Sequence, residues 1–300
     1  MAATVQTVER TSESPHLRVG ERLRILAAHR EVLANLIRKE LKVKYAASAL
    51  GAVWSLLNPL VYLAVFTFVT RVLGNNIPDY PVYLLSGLLA WNLFNASVMA
   101  GSRSVLDNAN LVKKVAFPRE ILPLSSIGVA LVDYVLQMAV LLLFIAISGY
   151  GIHVPELALL PLAFVALLAF TTMLTFVLAA LNVRYRDIGH LLNIALLVWF
   201  WTTPIVYAGA LVQEHLQGND LLGFLYFLNP LVAIVEGMHR ALYGVVTVLT
   251  VDGEPVRVLF HVSLGWLAAV LLAVVVASLV LLRFTWGLFF RRSGDFAEEL

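Results

Sequence analysis

The sequence predicts an all-α membrane protein. Six transmembrane helices follow an N-terminal cytoplasmic amphipathic helix, and short re-entrant helices lie on the outer side before the last span. Three observations predict this. First, 60% of the 300 residues are hydrophobic, only 13% are charged, and the mean hydropathy is +0.86. A soluble domain is about 45–50% apolar and about 25% charged, so an ordinary soluble enzyme and a disordered scaffold are both excluded. Second, apolar runs long enough for a spanning helix, ~20 residues, recur along the chain. Third, the cations are segregated to one side of those runs.

The expected spans are Ala52–Leu73, Val82–Gly101, Ile121–Ser148, Leu157–Asn182, Ile188–Ala208 and Phe260–Trp286. Asn58-Pro59 and Pro204 mark kinks, because proline removes a helical hydrogen bond. Leu221–Gly244 is a weaker apolar stretch. It contains Asn229-Pro230, Glu236, His239 and Arg240, and reads as two short helices dipping into the outer face. Glu236 and Arg240 stand at i,i+4 spacing, so a local salt bridge is expected between them.

With six spans both termini share one side, and Lys/Arg asymmetry says which. Nine cations precede Ala52, four lie between the second and third spans, two between the fourth and fifth, and three at the C-terminal end. Only Arg71, Arg240 and Arg257 fall on the other side, so 18 of 21 cations mark the cytoplasmic face. No apolar core of a cleavable signal peptide is seen in the first 45 residues. Residues 1–19 read as a disordered cytoplasmic tail and 291–300 as a second tail, with the spanning domain over 49–290.

Residues 20–48 read as the amphipathic helix. Leu33, Leu36, Ile37 and Leu41 recur at helical spacing, flanked by Arg30, Arg38, Lys39 and Lys42. Membrane anchoring alone explains that pattern; contact with a cytoplasmic partner is the sharper reading. In the loop Ser102–Pro123 a helix is expected from about Ser104 to Val115. Leu111 and Phe117, exposed amid charge, read either as a docking knob or as the anchor of a solvated loop. Arg186-Asp187 reads as an ion pair capping the fifth span.

Several segments resemble one family. They are Tyr45–Leu60 (YAASALGAVWSLLNPL), Asn110–Leu124 (NLVKKVAFPREILPL), Leu181–Ile188 (LNVRYRDI) with Thr203–Tyr207 (TPIVY), Leu228–Leu231 (LNPL) and Phe290–Glu298 (FRRSGDFAE). Their order and spacing resemble the membrane permease subunits of bacterial ABC transporters that export lipid-linked polysaccharide (O-antigen, galactan) or teichoic acid. The resemblance implies a bacterial inner-membrane protein with a cytoplasmic gate helix at about Leu33–Tyr45. It implies a coupling helix within 104–117 that docks on an ATPase, through Asn110, Leu111, Lys113, Lys114, Phe117, Pro118, Arg119 and Glu120. The re-entrant helices correspond to about 221–244. The assembly implied is a homodimer of the permease with two copies of an ABC ATPase, and the cargo is a polyprenyl-pyrophosphate-linked glycan.

The residues agree with a subunit that borrows its energy. The phosphate cradle G-x-x-x-x-G-K-[ST] is absent and no Gly precedes Lys. No catalytic residue or cofactor is therefore assigned to this chain, and ATP and Mg²⁺ are expected on the partner ATPase. Arg38, Lys39, Lys42, Lys44, Arg184 and Arg186 are candidates to receive the pyrophosphate headgroup at the entry. Ordinary topology and attraction to anionic membrane lipid explain the same cations, and no nucleic-acid partner is expected. Trp54, Tyr62 and Phe66 fall roughly on one face of the first span and are candidates to line a sugar channel. Asp133, an intramembrane carboxylate, joins them; protonation, a hydroxyl partner or Gln137 one turn on would each account for it.

Rival functions fit less well. A membrane-embedded polyprenyl-phosphate transferase would cluster carboxylates around Mg²⁺, but the acids are scattered, with no D-x-D or D-x-x-D, and no metal site is expected. An ion-coupled carrier would show repeats and several intramembrane charges. Export of drugs or other lipids by the same fold stays open.

Overall fold

The computed structural model describes residues 19–46, 51, 53–72, 77–151, 154–216, 219–249, 255–293 and 296. The expected N-terminal tail, the junction 47–50 and the extreme C-terminus fall outside these.

In chain order the helices are α1 (Val19–Ala28), α2 (Arg30–Tyr45), α3 (Val53–Val72), α4 (Tyr80–Asp107), α5 (Ala109–Lys114), α6 (Ile121–Ser148), α7 (Val154–Leu157) and α8 (Leu159–Arg184). They continue as α9 (Ile188–Trp201), α10 (Gly209–His215), α11 (Asp220–Phe227), α12 (Pro230–Leu242) and α13 (Leu264–Ser293). Between α12 and α13, strand β1 (Thr247–Leu249) pairs antiparallel with β2 (Pro255–Arg257), a short ribbon in an otherwise helical fold.

Five helices among the described residues are long and apolar enough to cross a membrane: Val53–Val72, Tyr80–Asp107, Ile121–Ser148, Val154–Arg184 and Leu264–Ser293. The chain is a multi-pass membrane protein. Helix α4 is central, packed against α6 and α8, while α13 lies along α8. The apolar stretch of α4 is 72% buried and that of α3 only 6%. Helix α3 therefore presents its apolar side chains, Phe68 among them, outward. Helix α6 stops at Gly149, whose φ of 67° suits the left-handed cap that ends a helix.

The main apolar core runs through the bundle, and a second, smaller cluster marks one end of it. There Leu36, Val105, Val112, Ile121, Val183, Phe289 and Phe296 pack together, joining α2, α5 and the nearby ends of α4, α6, α8 and α13. At the other end Tyr150 donates to the Tyr243 carbonyl, and Tyr243 donates to that of Pro78.

The expected fifth span is shorter than its apolar run. Helix α9 stops at Trp201 after 14 residues, about 21 Å, against a hydrocarbon core of about 30 Å. The cause is local. Thr202 and Thr203 both turn their hydroxyls back to the Trp199 carbonyl, and Pro204 supplies no donor. Pro204 therefore sits beyond the helix end rather than at a kink within it. The buried carbonyls beyond this break are satisfied from α4. Tyr83 donates to Tyr207 (2.6 Å) and to Pro204 (3.3 Å), and Tyr80 donates to Val206 (3.1 Å). The chain from Ile188 to Val206 thus runs from the Val183 end of the bundle to the Tyr80 end.

Leu221–Phe227 and Pro230–Leu242 meet at an angle of 68° across Asn229-Pro230. The Asn229 side chain accepts from the Leu231 backbone and from Trp199 Nε1 at 2.7 Å, which fixes the corner. The expected Glu236–Arg240 salt bridge does not form. Glu236 is buried and instead accepts a hydrogen bond from the Phe260 backbone.

Candidate functional site

The amphipathic helix expected over 20–48 is interrupted at His29, so α1 and α2 are separate elements. Arg22 of α1 stacks its guanidinium 3.7 Å from the Phe290 ring centroid of α13. Helix α2 buries Leu36 and lays its apolar stripe on α6. Gly128 of α6 permits the close approach, because a Cβ there would stand 2.4 Å from Ile37 Cδ1.

Polar contacts then fix the helix in place. Ser125 donates to Glu40 at 3.2 Å. Lys44 Nζ lies 2.6 Å from Asp133 Oδ2, and the Tyr45 hydroxyl donates to Asp133 Oδ1. Asp133 lies about 18 Å along α6 from Ile121, at 1.5 Å per residue. A hydroxyl thus does partner the intramembrane carboxylate, together with an ammonium. Gln137 does not, because its Nε2 donates to the Ser55 carbonyl of α3 at 2.8 Å.

Protonation follows from these contacts. Burial lowers the Lys44 pKa, but the hydrogen bond and charge of Asp133 outweigh it, and the ammonium titrates above the usual lysine value. Burial raises the Tyr45 phenol, and Asp133 raises it further. Burial also pushes Glu40 above the usual carboxylate range, against the opposing Ser125 hydrogen bond.

Beside this latch, α3, α4 and α6 line a half-open cavity of about 240 Å³. Its wall includes Lys44, Trp54, Asn58, Asn92, Asn95 and Asp133. Sequence reasoning missed Asn58, Asn92 and Asn95. The available signal was that Asn92 and Asn95, three residues apart in an apolar span, share one helix face.

The four expected channel residues divide into two groups. Trp54 and Asp133 line this cavity. Tyr62 and Phe66 instead stack on each other at 6.0 Å and meet Phe200, with Trp201 6.2 Å from Phe66. Of the expected headgroup cations, Arg38, Lys39, Lys42, Arg184 and Arg186 are exposed, whereas Lys44 is engaged by Asp133. Asp187 takes the N-cap position of α9, but its side chain makes no cap hydrogen bond and no ion pair joins it to Arg186.

The expected coupling helix is shorter than read. Residues 104–107 belong to α4, and after Asn108 only Ala109–Lys114 form α5. Asn110, Lys113 and Lys114 project from it, exposed. Leu111 and Phe117 are not exposed knobs; both are partly buried against the apolar cluster that holds Leu36 and Val112. Pro118 and Arg119 are half-buried, and burial lowers the Arg119 pKa. Glu120 is buried and accepts a hydrogen bond from Trp286 Nε1 at 3.2 Å, so it faces inward.

The chain that places a short basic helix and a cationic amphipathic helix on one cluster at the end of a helical membrane bundle has known relatives. Residues 31–243 match the family of ABC-2 type transporters. The chain belongs to that family. The match runs from α2 through α12, so the latch, the cavity and α5 all lie within the matched region. The chain is 32% identical to a Myxococcus xanthus protein named O-antigen export system permease protein RfbA, over 93% of this chain and 98% of that protein. Two Klebsiella pneumoniae proteins of the same name are 28% and 27% identical, each over 68% of this chain and 77% of their own length.

Proposed function

We propose that this ABC-2 family chain is the permease subunit of an ATP-driven exporter. Its cargo is a polyprenyl-pyrophosphate-linked polysaccharide, O-antigen- or galactan-like, or a teichoic acid, carried from the cytoplasmic to the outer side of the bacterial inner membrane. The observation that carries this reading is the near end-to-end similarity to the Myxococcus O-antigen export permease. Two permease copies work with two ABC ATPase subunits, which bind ATP and Mg²⁺. The largely unburied α3 supplies apolar surface for a second copy or for lipid.

Six crossings complete the reading, with α9 and its irregular extension to Ala208 as the fifth. The 18-to-3 division of cations supports cytoplasmic termini. Helix α5 receives the ATPase, and α2 acts as the gate. Because Val112 and Leu36 pack in one cluster, a push on α5 is passed to α2 through side-chain contact. Arg38, Lys39, Lys42, Arg184 and Arg186 attract the pyrophosphate, and Tyr62 and Phe66 offer flat faces to the sliding glycan.

The test is co-expression with the ATPase encoded beside this chain, purification of the pair in lipid, and ATP hydrolysis measured with and without a polyprenyl-pyrophosphate oligosaccharide. A stable complex whose hydrolysis responds to that compound is expected. A complex that responds only to drugs or other lipids would make it an exporter of those instead. Failure to co-purify an ATPase would overturn the transporter reading.

A further inference from the structure

The cavity beside Asp133 is built for a ligand that the charges of the site do not describe. Among the described residues, Asn58, Asn92 and Asn95 have no hydrogen-bond partner in the protein, although all three stand on membrane-spanning helices. Gln137 is 8% exposed; its amide nitrogen is committed to Ser55, but its Oε1 is buried and unpartnered. Unpaired amides within a bilayer are costly. Half-buried Asn92 and Asn95 of α4 and the buried Gln137 Oε1 of α6 line one space, with the exposed Asn58 of α3 beside them, and an occupant that both donates and accepts hydrogen bonds would satisfy them.

The electrostatics select among polar occupants. A phosphate only accepts, and here the single nearby cation is already held by Asp133. That carboxylate would repel a second anion. A neutral ring bearing hydroxyls matches the amides, since each hydroxyl donates and accepts. Trp54, 51% exposed at the cavity wall, adds a flat apolar face for ring C–H groups. At about 240 Å³ the space is smaller than the about 300–1,000 Å³ of pockets for drug-sized ligands and suits a single ring.

We propose that this amide-lined cavity is a subsite for one neutral glycosyl ring of the cargo, separate from the place where the pyrophosphate is received. The proposal rests on the export reading above. It makes the Asn58, Asn92, Asn95 and Gln137 amides the groups that read hydroxyls, and Trp54 the face on which the ring lies.

The test uses the permease–ATPase complex in lipid with two probes, a polyprenyl-pyrophosphate oligosaccharide and the same polyprenyl pyrophosphate without sugar. The variants are Asn92→Leu/Asn95→Leu, the milder Asn92→Ala/Asn95→Ala, and Trp54→Ala. Each is expected to raise the half-maximal concentration of the oligosaccharide by about tenfold, which corresponds to about 1.4 kcal/mol. The response to the sugarless lipid should be unchanged. Thermal melting of the Asn variants should be unchanged or raised, because they remove unpaired polar groups from spanning helices.

Equal loss of both responses would make the cavity a headgroup site and overturn the proposal. Unchanged responses to both probes would mean the cavity holds water alone. A fall in melting temperature with loss of the dimer would mean that a second copy covers the amides. If the wild-type complex answers to neither probe, the export reading itself fails, an outcome distinct from these.

Discussion

Lys44 and Asp133 stand 89 residues apart in the chain and 2.6 Å apart in space. The pair ties the end of α2 to the interior of α6, a membrane span. The Lys44 side chain is 47% exposed and that of Asp133 12%. Removing one partner should therefore cost between the ~1 kcal/mol of an exposed pair and the ~3 kcal/mol of a buried one. Asp133→Asn should loosen α2, and trypsin should cleave at Lys42 and Lys44 several-fold faster. Lys44→Met combined with Asp133→Leu should recover most of the protection, because no charge is left unpaired. Equal cleavage rates in wild type and Asp133→Asn would show that the pair does not hold the helix.

Glu40 makes the docking of α2 depend on pH. Its carboxyl titrates above the usual value because of burial; Ser125 and Lys39 lower it in part, and Asp107 adds to the rise. A raised carboxyl pKa means that the folded protein binds the proton more tightly than the unfolded chain. The favourable contribution is complete below the unfolded value of 4.5 and is lost as pH rises through the folded one. Glu40→Gln keeps an acceptor for Ser125 without the charge. It should melt higher than wild type at pH 8, and the difference should vanish near pH 4.5. A difference that is the same at both pH values would rule out ionisation as its cause.

Gly128 sets how closely α2 approaches α6. Gly128→Val would drive a side chain into Ile37, whose Cδ1 and Cγ1 stand 2.4 and 2.9 Å from a built Cβ. Overpacking of this kind costs about 1–3 kcal/mol. Ile37→Ala in the same chain should restore much of the loss. Additive losses in melting temperature would show that the two side chains do not meet.

Much of the architecture was legible in the apolar runs because a bilayer demands long apolar helices and sorts cations to one side. The runs at Ile121–Ser148 and in α4, α8 and α13 became helices at nearly the expected places. The break after Trp201 was not legible, since its cause is partly distant: hydroxyls of Tyr80 and Tyr83 make an irregular segment affordable at depth. The site was legible only in fragments. Asp133 stood out as a lone carboxylate, but its partners Lys44 and Tyr45 precede a whole span, and no local spacing joins them. Phe117 and Leu111 looked exposed because their neighbours are charged; the cluster they pack against draws its side chains from helices distant in sequence, α2, α8 and α13 among them.

The tyrosines that close the α9 break give a further prediction. Tyr83→Phe removes the donor to the Tyr207 carbonyl, bonded at 2.6 Å, and the longer one to Pro204. A buried acceptor left unpaired costs about 1–3 kcal/mol. The variant should melt lower in lipid, and hydrogen exchange should rise in 202–208 but not in α6. Unaltered exchange in that segment would mean that the tyrosine does not secure it.

The last prediction concerns α5. Phe117→Asp is a poor probe of ATPase docking, because Phe117 packs against the same cluster as Leu36 and a charge there would disturb the fold. Lys113 and Lys114 are exposed on the last turn of α5, and their side chains make no hydrogen bond or ion pair among the described residues. Lys113→Glu/Lys114→Glu should therefore leave the stability of the isolated permease within about 0.5 kcal/mol of wild type. If α5 is the coupling element, the pair reversal should reduce recovery of the ATPase at least tenfold in co-purification. It should also abolish hydrolysis coupled to the lipid-linked probe. Recovery at wild-type level would move the docking surface elsewhere. The exposed Arg38, Lys39 and Lys42 of α2, at the same end of the bundle, would then be the next residues to reverse.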